Sequence, residues 1–274
     1  MNLTQFKNIA IQAALDAGAV IQRYLNEDIV VEHKKIDGSS YASQVVTEVD
    51  RACEAIILKY LLPTCETFGI AILSEETVDD GGRFHKDFFW CIDPMDGTLA
   101  FIEKRSGFSV SIALVSQDGT PLIAVIYDPS SKNLYHAIKG AGAYKNNNFW
   151  KIKRANNHLS YVNDRKLKDN PRSEELEKLL NNMTMELGLN EVQEISGAGA
   201  VMNAILVLEN SPACMIKLPK KESGGGSLWD YAATACIYNE LRLPATNYEG
   251  GRLNLNKKDN TFMNQKGIYF ANFT

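Results

Sequence analysis

Hydrophobic residues recur at helical spacing through the first part of the chain. They fall on one face of a helix over residues 2–25, which predicts a single amphipathic helix. Residues 28–34 alternate as a strand would, and the polar stretch 35–44 predicts a loop. Residues 47–63 again have helical spacing and predict a second helix that ends at Pro63.

Further along, the pattern changes from helical to strand-like. Apolar runs at 70–73 and 87–92 predict two strands, and residues 106–144 predict an antiparallel meander whose turns hold Asp-Gly, Asp-Pro and Gly-x-Gly. In the rest of the chain strands alternate with helices. The strands predicted there are 159–163 and 192–196, and the helices are 172–187, 198–209 and 228–240. The pattern therefore predicts an α+β half with an antiparallel sheet, residues 1–150, followed by an α/β half, residues 151–274.

Composition narrows the class of protein. The chain has 274 residues, of which 45% are hydrophobic and 23% charged, as in ordinary globular domains. A formal charge of -4 provides no basic field for a nucleic-acid polymer. The 5 scattered cysteines include no Cys-x-x-Cys pair, which indicates free thiols in a reducing compartment. No apolar run approaches the roughly 18 residues of a transmembrane helix. We therefore expect a cytoplasmic protein with no membrane partner.

The segment WCIDPMDGTLAF, residues 90–101, is the strongest candidate for chemistry. A buried apolar run leads directly into Asp93 and Asp96, although burying two neighbouring carboxylates is costly unless a positive group lies beside them. Mg²⁺ binds carboxylate oxygens and would account for both residues. A plainer alternative is that Asp93 ends a strand, Pro94 turns the chain and Asp96 caps a short helix that starts at Gly97.

Three other acidic segments have the same ambiguity. Asp50 and Asp230 each stand at the start of a predicted helix, where Ser227 and Asp230 also fit a capping box. Glu75 and Glu76 end a predicted strand, but further acids follow them and a surface loop would explain the run equally well. None of these segments indicates a function by itself.

The segments together resemble a known group of enzymes. They are VVTEVD (45–50), LSEET (73–77), WCIDPMDGTLAF and LWDYAATA (228–235). Their order and spacing are similar to those of the inositol monophosphatase superfamily of Mg²⁺-dependent, lithium-sensitive phosphatases. The resemblance extends over nearly the whole chain. It implies a layered αβαβα sandwich with its site between the two halves and a small phosphate ester as substrate. Members of the superfamily are often homodimers, so a homodimer is expected.

The resemblance also implies roles for residues at matching positions. Thr98, polarised by Asp50, would orient the water that attacks phosphorus, and Glu75 would assist as a catalytic residue. The main-chain amides of Gly97 and Thr98 would hold phosphate oxygens. The second half would contribute one metal ligand and the leaving-group side of the site. The ligands of about two or three Mg²⁺ ions would be Glu75, Asp93, the Met95 main-chain carbonyl, Asp96 and Asp230. The residues implied to contact substrate are Gly97, Thr98, Ser196, Lys217 and Asp230.

Two features distinguish branches within the superfamily. Residues 74–76 read Ser-Glu-Glu, and the long connector after Lys217 contains Leu-Pro, both similar to 3'(2'),5'-bisphosphate nucleotidases. This predicts hydrolysis of the 3'-phosphate of adenosine 3',5'-bisphosphate, with inositol monophosphatase as the alternative and fructose bisphosphatase less favoured. Lys217 stands where an arginine is common and Cys214 where an aspartate is usual. A lysine cannot grip phosphate with two parallel hydrogen bonds, and a solvated basic surface explains Lys217 equally well.

Two rival classes make different predictions. Aspartyl-phosphate phosphatases share Asp-Gly-Thr, but their two aspartates are separated by one residue, whereas two residues separate Asp93 from Asp96. That class would also leave the other acidic segments unused. A non-catalytic binding module would be expected to lack a metal ligand or the Thr98–Asp50 pair, and all of these positions are filled.

Overall fold

The computed structural model describes residues 2–25, 31–33, 45–154 and 156–273. The loop predicted at 35–44 lies outside these ranges. Of the strand predicted at 28–34, the three described residues form β1. The helices of the described part are α1 (Leu3–Tyr24), α2 (Glu48–Phe68), α3 (Thr98–Ile102), α4 (Ser173–Glu186), α5 (Ala200–Glu209) and α6 (Leu228–Leu241).

The strands divide into a hairpin and two sheets. The hairpin is β1 (Val31–His33) with β2 (Val45–Thr47). The first sheet contains β3 (Ala71–Ser74), β4 (Phe88–Asp96), β5 (Ser109–Ser116), β6 (Pro121–Asp128), β7 (Asn133–Ile138), β8 (Ala143–Lys145) and β9 (Asn148–Phe149). The second sheet contains β10 (Leu159–Asn163), β11 (Val192–Ser196), β12 (Ala213–Lys217), β13 (Ala245–Thr246) and β14 (Ile268–Ala271).

The two sheets have different strand directions. The first runs in chain order from β3 to β9, with β3 parallel to β4 and the following pairs antiparallel, so the predicted meander is confirmed. The second has the order β11-β10-β12-β14-β13. Its strands β10, β11 and β12 are parallel, because α4 and α5 provide the crossover connections between them.

Three hydrophobic clusters produce the layers. Helices α1 and α2 cover the outer face of the first sheet, and the buried alanines of α1 allow close packing. Helices α5 and α6 lie between the sheets and share a core with residues from both. Helix α4 covers the outer face of the second sheet. This arrangement confirms the expected αβαβα sandwich.

The end of α2 differs from the prediction. The helix continues through Pro63 to Phe68, although proline lacks the amide that would bond to the preceding turn. The turn after Pro63 is held by packing, since Thr64 is buried and its hydroxyl accepts a hydrogen bond from Trp90 Nε1 at 2.9 Å. The helix ends at Gly69 instead, whose φ of 65° suits glycine at a helix C-terminus.

Two expectations about the chain as a whole can be compared with the structure. The 5 cysteines are unpaired, as predicted. Within the described ranges, no helix has both the length and the apolar character that crossing a membrane requires.

Candidate metal-binding active site

Three carboxylates come together where β4 ends and α6 begins. Asp93, Asp96 and Asp230 each place a carboxylate oxygen within 4.8 Å of the other two. In a regular strand, residues three apart point to opposite faces. The ladder between β4 and β5 shifts register between Asp93 and Asp96, and this irregularity brings both side chains to the same cluster.

Asp230 reaches the cluster from the first turn of α6. It forms a capping box with Ser227, whose main-chain amide donates to Asp230 Oδ2. The capping and metal-binding interpretations of this segment are therefore compatible, because the box orients the carboxylate that completes the cluster.

Asp96 caps a helix, but a different one from the helix expected. Helix α3 begins after Gly97 without a side-chain cap. The Asp96 carboxylate instead accepts hydrogen bonds from the amides of Ala200, at 3.0 Å, and Val201, at 2.8 Å, at the start of α5. The prediction of a local cap is wrong because β4 and α5 meet so closely that Asp96 reaches the free amides of the distant helix.

Glycines make this close approach possible. A Cβ atom on Gly199 would lie 2.3 Å from Asp96 Oδ2, and one on Gly97 would lie 2.6 Å from the Gly107 carbonyl oxygen. The Gly199 amide also donates to that same carbonyl at 2.8 Å. The junction between the two sheets therefore has no room for side chains at these positions.

Thr98 and Glu75 lie beside the cluster. The Thr98 hydroxyl is 3.4 Å from Asp50 Oδ1 and 3.1 Å from the Met95 carbonyl oxygen. It therefore lies beside one predicted catalytic residue, Asp50, and one predicted metal ligand, the Met95 carbonyl. Glu75 follows β3, which runs parallel to β4, and its amide donates to the Ile92 carbonyl at 3.2 Å. Glu75 is therefore next to Asp93 across the sheet, although it is not among the three clustered carboxylates.

The cluster places several acidic groups close together in a buried position. Burial raises the pKa of Asp93 well above its ordinary value, and the charges of Glu75, Asp96 and Asp230 raise it further. Burial likewise raises the pKa of Asp96, against the opposing effect of its hydrogen bonds from α5. For Asp230, burial outweighs the lowering effects of the Ser227 amide and Lys217.

The residues present fit a divalent metal ion. Asp93 Oδ2 is buried and has no hydrogen-bond partner among the described residues. An orphaned carboxylate oxygen within a cluster of raised pKa values is the environment that a bound cation would stabilise. The donor set consists of oxygens, which suits Mg²⁺ better than softer metals.

The residues predicted on the leaving-group side are more dispersed. Ser196 is exposed at the end of β11. Lys217 is not a solvated surface residue, because its side chain is only 17% exposed and its ammonium pairs with Asp164 Oδ2 at 2.7 Å. Cys214 lies in the core beneath α4, where burial raises the pKa of its thiol to about 12. The sequence analysis does not single out Asp164. The one feature of the sequence that points to it is its position directly after the predicted strand 159–163.

Comparison with known proteins identifies the group to which the chain belongs. The fold and cluster define a layered α/β protein with a carboxylate site suited to a divalent cation. The model of the Inositol monophosphatase family matches residues 2–271. The chain belongs to the inositol monophosphatase family.

Individual relatives agree with this assignment. The chain is 34% identical to an inositol-1-monophosphatase of Bacillus subtilis over 146 residues, which cover 53% of this chain and 52% of that protein. It is 36% identical to the Nus factor SuhB of Escherichia coli K12 over 139 residues, 51% of this chain and 49% of that one. These alignments thus span about half the length of the curated relatives.

A solved structure matches more completely. The inositol monophosphatase from Anabaena superposes with a TM-score of 0.70 at 25% identity, and the match covers 99% of this chain and 92% of the other. The similarity in fold therefore extends through both sheets.

Proposed function

We propose that the protein is a Mg²⁺-dependent phosphomonoesterase that hydrolyses a small phosphate ester with a water molecule as nucleophile. The observation that carries this proposal is the convergence of Asp93, Asp96 and Asp230 around the orphaned Asp93 Oδ2. Buried carboxylates that repel one another destabilise a fold unless a bound cation compensates their charge.

Each clustered residue has a role in the proposed reaction. Asp93, Asp96 and Asp230 would hold Mg²⁺, with Glu75 and the Met95 carbonyl as further ligands. When bound, the ions would neutralise the phosphate and lower the pKa of the attacking water. The amides of Gly97 and Thr98 would donate hydrogen bonds to the phosphate oxygens.

Thr98 and Asp50 would manage the proton of the nucleophile. The Thr98 hydroxyl is 3.4 Å from Asp50 Oδ1, and only 4% of Asp50 is exposed. The attacking water would donate a hydrogen bond to Thr98 Oγ1, which in turn donates to Asp50. General-base assistance of this kind contributes about 10²–10⁴-fold to rate. A nucleophilic carboxylate is not needed, so Asp93 is free to remain a ligand.

Two substrates have specific support. The names of curated relatives favour an inositol monophosphate. The Ser-Glu-Glu at 74–76 and the Leu-Pro connector favour adenosine 3',5'-bisphosphate. Because Lys217 is already paired with Asp164, one basic group that would recognise a second phosphate is engaged. We therefore place inositol 1-phosphate first and the bisphosphate second.

The test is a comparison of kcat/KM for inositol 1-phosphate, adenosine 3',5'-bisphosphate and fructose 1,6-bisphosphate with Mg²⁺ present. We expect release of inorganic phosphate that requires Mg²⁺ and is highest for inositol 1-phosphate. A higher value for the adenosine bisphosphate would reverse the order of substrates. Incorporation of phosphate into an acid-stable enzyme adduct at Asp93 would overturn the mechanism. The homodimer, the two-half division and the cytoplasmic location stay predictions.

A further inference from the structure

Asp164 and Lys217 lie at the carboxyl edge of the parallel strands in the second sheet. Asp164 follows β10 and Lys217 is the last residue of β12, while Ser196 ends the neighbouring β11. Ligands of open α/β sheets bind at the carboxyl ends of parallel strands. This edge lies next to the carboxylate cluster, because Asn203 and Val201 belong to the same helix, α5: Asn203 donates to Asp164, and the Val201 amide donates to Asp96.

Lys217 is fully engaged by its neighbours. Its ammonium is 2.7 Å from Asp164 Oδ2, donates to the Gly225 carbonyl at 3.3 Å and lies 5.7 Å from the centre of the Tyr231 ring. The side chain is only 17% exposed. Burial lowers its pKa, but the charge and hydrogen bond of Asp164, together with the effect of Tyr231, outweigh burial and keep the pKa above its ordinary value. Lys217 is therefore a cation whose charge Asp164 balances.

The Asp164 carboxylate can accept further hydrogen bonds in addition to these contacts. Its Oδ1 accepts from Asn203 Nδ2 at 2.9 Å and its Oδ2 accepts from Lys217, while the side chain is 44% exposed. A carboxylate offers about four acceptor positions, so unused lone pairs face solvent. Asn203 is fully buried on α5, the helix that Asp96 caps, and this fixes Asp164 relative to the cluster.

We propose that Asp164 is a specificity-determining residue, which neutralises Lys217 and offers its exposed carboxylate to hydroxyl groups on the leaving group. A polyol monophosphate would donate hydrogen bonds to Asp164. A leaving group with a second phosphate would meet a carboxylate and a cation that is already paired. The inference rests on the proposed phosphomonoesterase and extends it from the reaction to the choice of substrate.

The test compares Asp164→Asn with Glu177→Gln. Both changes remove one negative charge, but Glu177 is exposed on α4, the helix that covers the outer face of the second sheet. The measurement is the ratio of kcat/KM for adenosine 3',5'-bisphosphate to that for inositol 1-phosphate. We expect Asp164→Asn to raise this ratio by at least about tenfold, the effect of one hydrogen bond to a charged group. Glu177→Gln should leave the ratio unchanged.

A second pair of variants tests whether Lys217 is the source of the gain. In the double variant Asp164→Asn/Lys217→Met, the increase in activity toward the bisphosphate should disappear. Tyr231→Phe removes the hydroxyl that donates to the Gly225 carbonyl at 3.0 Å and interacts with Lys217, but it leaves the Asp164 carboxylate and its charge in place. It should leave the ratio at the wild-type value.

Binding provides a readout that does not need turnover. With Ca²⁺ in place of Mg²⁺, titration calorimetry gives the dissociation constants of the same two compounds, and their ratio should shift as the kinetic ratio does. A shifted binding ratio without hydrolysis would support the role of Asp164 and reject the proposed activity. An unchanged ratio in folded Asp164→Asn, by binding or by kinetics, or an equal shift in Tyr231→Phe, would overturn the inference.

Discussion

The Asp96 carboxylate accepts a hydrogen bond from the amide of Val201 at 2.8 Å, across 105 residues of sequence. The contact joins the end of a strand in the first sheet to the start of a helix packed between the sheets. It also fixes one of the three clustered carboxylates, because both Asp96 oxygens are used at the start of α5. The geometry of the site thus depends on how the sheets pack.

Gly199→Ala should disturb this contact directly. Gly199 has a φ of -65°, which any residue tolerates, so the effect of alanine is steric: its Cβ would lie 2.3 Å from Asp96 Oδ2. We expect a loss of about 1–3 kcal/mol in the free energy of unfolding, as for other overpacked sites. Activity should fall further than stability alone explains, because the carboxylate is displaced. Urea denaturation and steady-state kinetics measure the two effects.

The matched control is Gly250→Ala. Nothing lies within 4 Å of a Cβ at Gly250, but its φ of +84° costs alanine about 1–2 kcal/mol. This variant should lose a similar amount of stability and keep its activity. Equal losses of activity in both variants would show that Gly199 matters only for stability.

Much of the fold could be predicted from the sequence because its signals are local. The spacing of apolar residues in α1 and the turn residues of the meander depend on nearby chain, and both elements were predicted. The prediction that α2 ends at Pro63 is wrong, because the contact of Thr64 with Trp90 outweighs the local helix-breaking effect of proline. Local reasoning failed there because tertiary contacts decided the outcome.

The candidate site likewise has features that the sequence predicts and features that depend on tertiary contacts. The resemblance carried by four acidic segments indicates Asp93, Asp96 and Asp230 from the sequence alone. The sequence gives only indirect evidence that Asp96 caps α5. Gly199 stands at the N-cap of that helix, where a Ser, Thr, Asp or Asn would normally accept from the free amides, so another residue must do so. The pairing of Lys217 with Asp164 had no signal in spacing, since it depends on which strands become neighbours.

Asp93→Asn should abolish activity and leave the fold intact or firmer. Loss of groups that merely support metal ligands typically costs 10–100-fold, so loss of a ligand should cost more than about 100-fold in kcat/KM. Burial raises the pKa of Asp93, with Glu75 and Asp96 adding to the effect, so removing its charge relieves repulsion in the metal-free protein. Thermal melts without Mg²⁺ should therefore show a melting temperature equal to or above wild type.

The change in melting temperature on addition of Mg²⁺ distinguishes the loss of a metal ligand from a general effect of removing one negative charge. A ligand at 100 times its dissociation constant stabilises the folded state by about 2.7 kcal/mol. Wild type and the exposed control Asp259→Asn should gain melting temperature on addition of Mg²⁺, whereas Asp93→Asn should gain little. Wild-type turnover in Asp93→Asn would reject the metal assignment.

Thr98→Ala should lower kcat by about 10²–10⁴-fold with little change in KM, because the hydroxyl acts on the nucleophile and not on the leaving group. Thr98→Ser keeps a hydroxyl that can still reach Asp50 and should retain most activity. Stopped-time phosphate release over a range of substrate concentrations separates kcat from KM. If serine and alanine were equally inactive, the Thr98 methyl group and not its hydroxyl would be the important feature.

His136 should make stability depend on pH independently of the metal site. It is 5% exposed, stacks on Tyr144 with ring centres 5.1 Å apart and contacts Asn147 through Nε2 at 3.2 Å. Burial lowers its pKa below the ordinary 6.5, and the charge of Lys7 adds to this against the raising effect of Asn147. Below about pH 6.5 the unfolded chain therefore takes up the proton more readily than the folded one, and stability falls as pH falls.

The measurement is urea denaturation of wild type, His136→Phe and His85→Gln between about pH 7.5 and pH 5.5. Phenylalanine keeps a ring against Tyr144 but cannot take up a proton, so this variant should lose less stability on acidification than wild type does. The difference should be at most about 1.4 kcal/mol per pH unit, the limit for one proton. His85 is exposed, and its replacement should leave the pH dependence as it is in wild type. A wild-type slope in His136→Phe would mean that acid destabilises the protein through other groups.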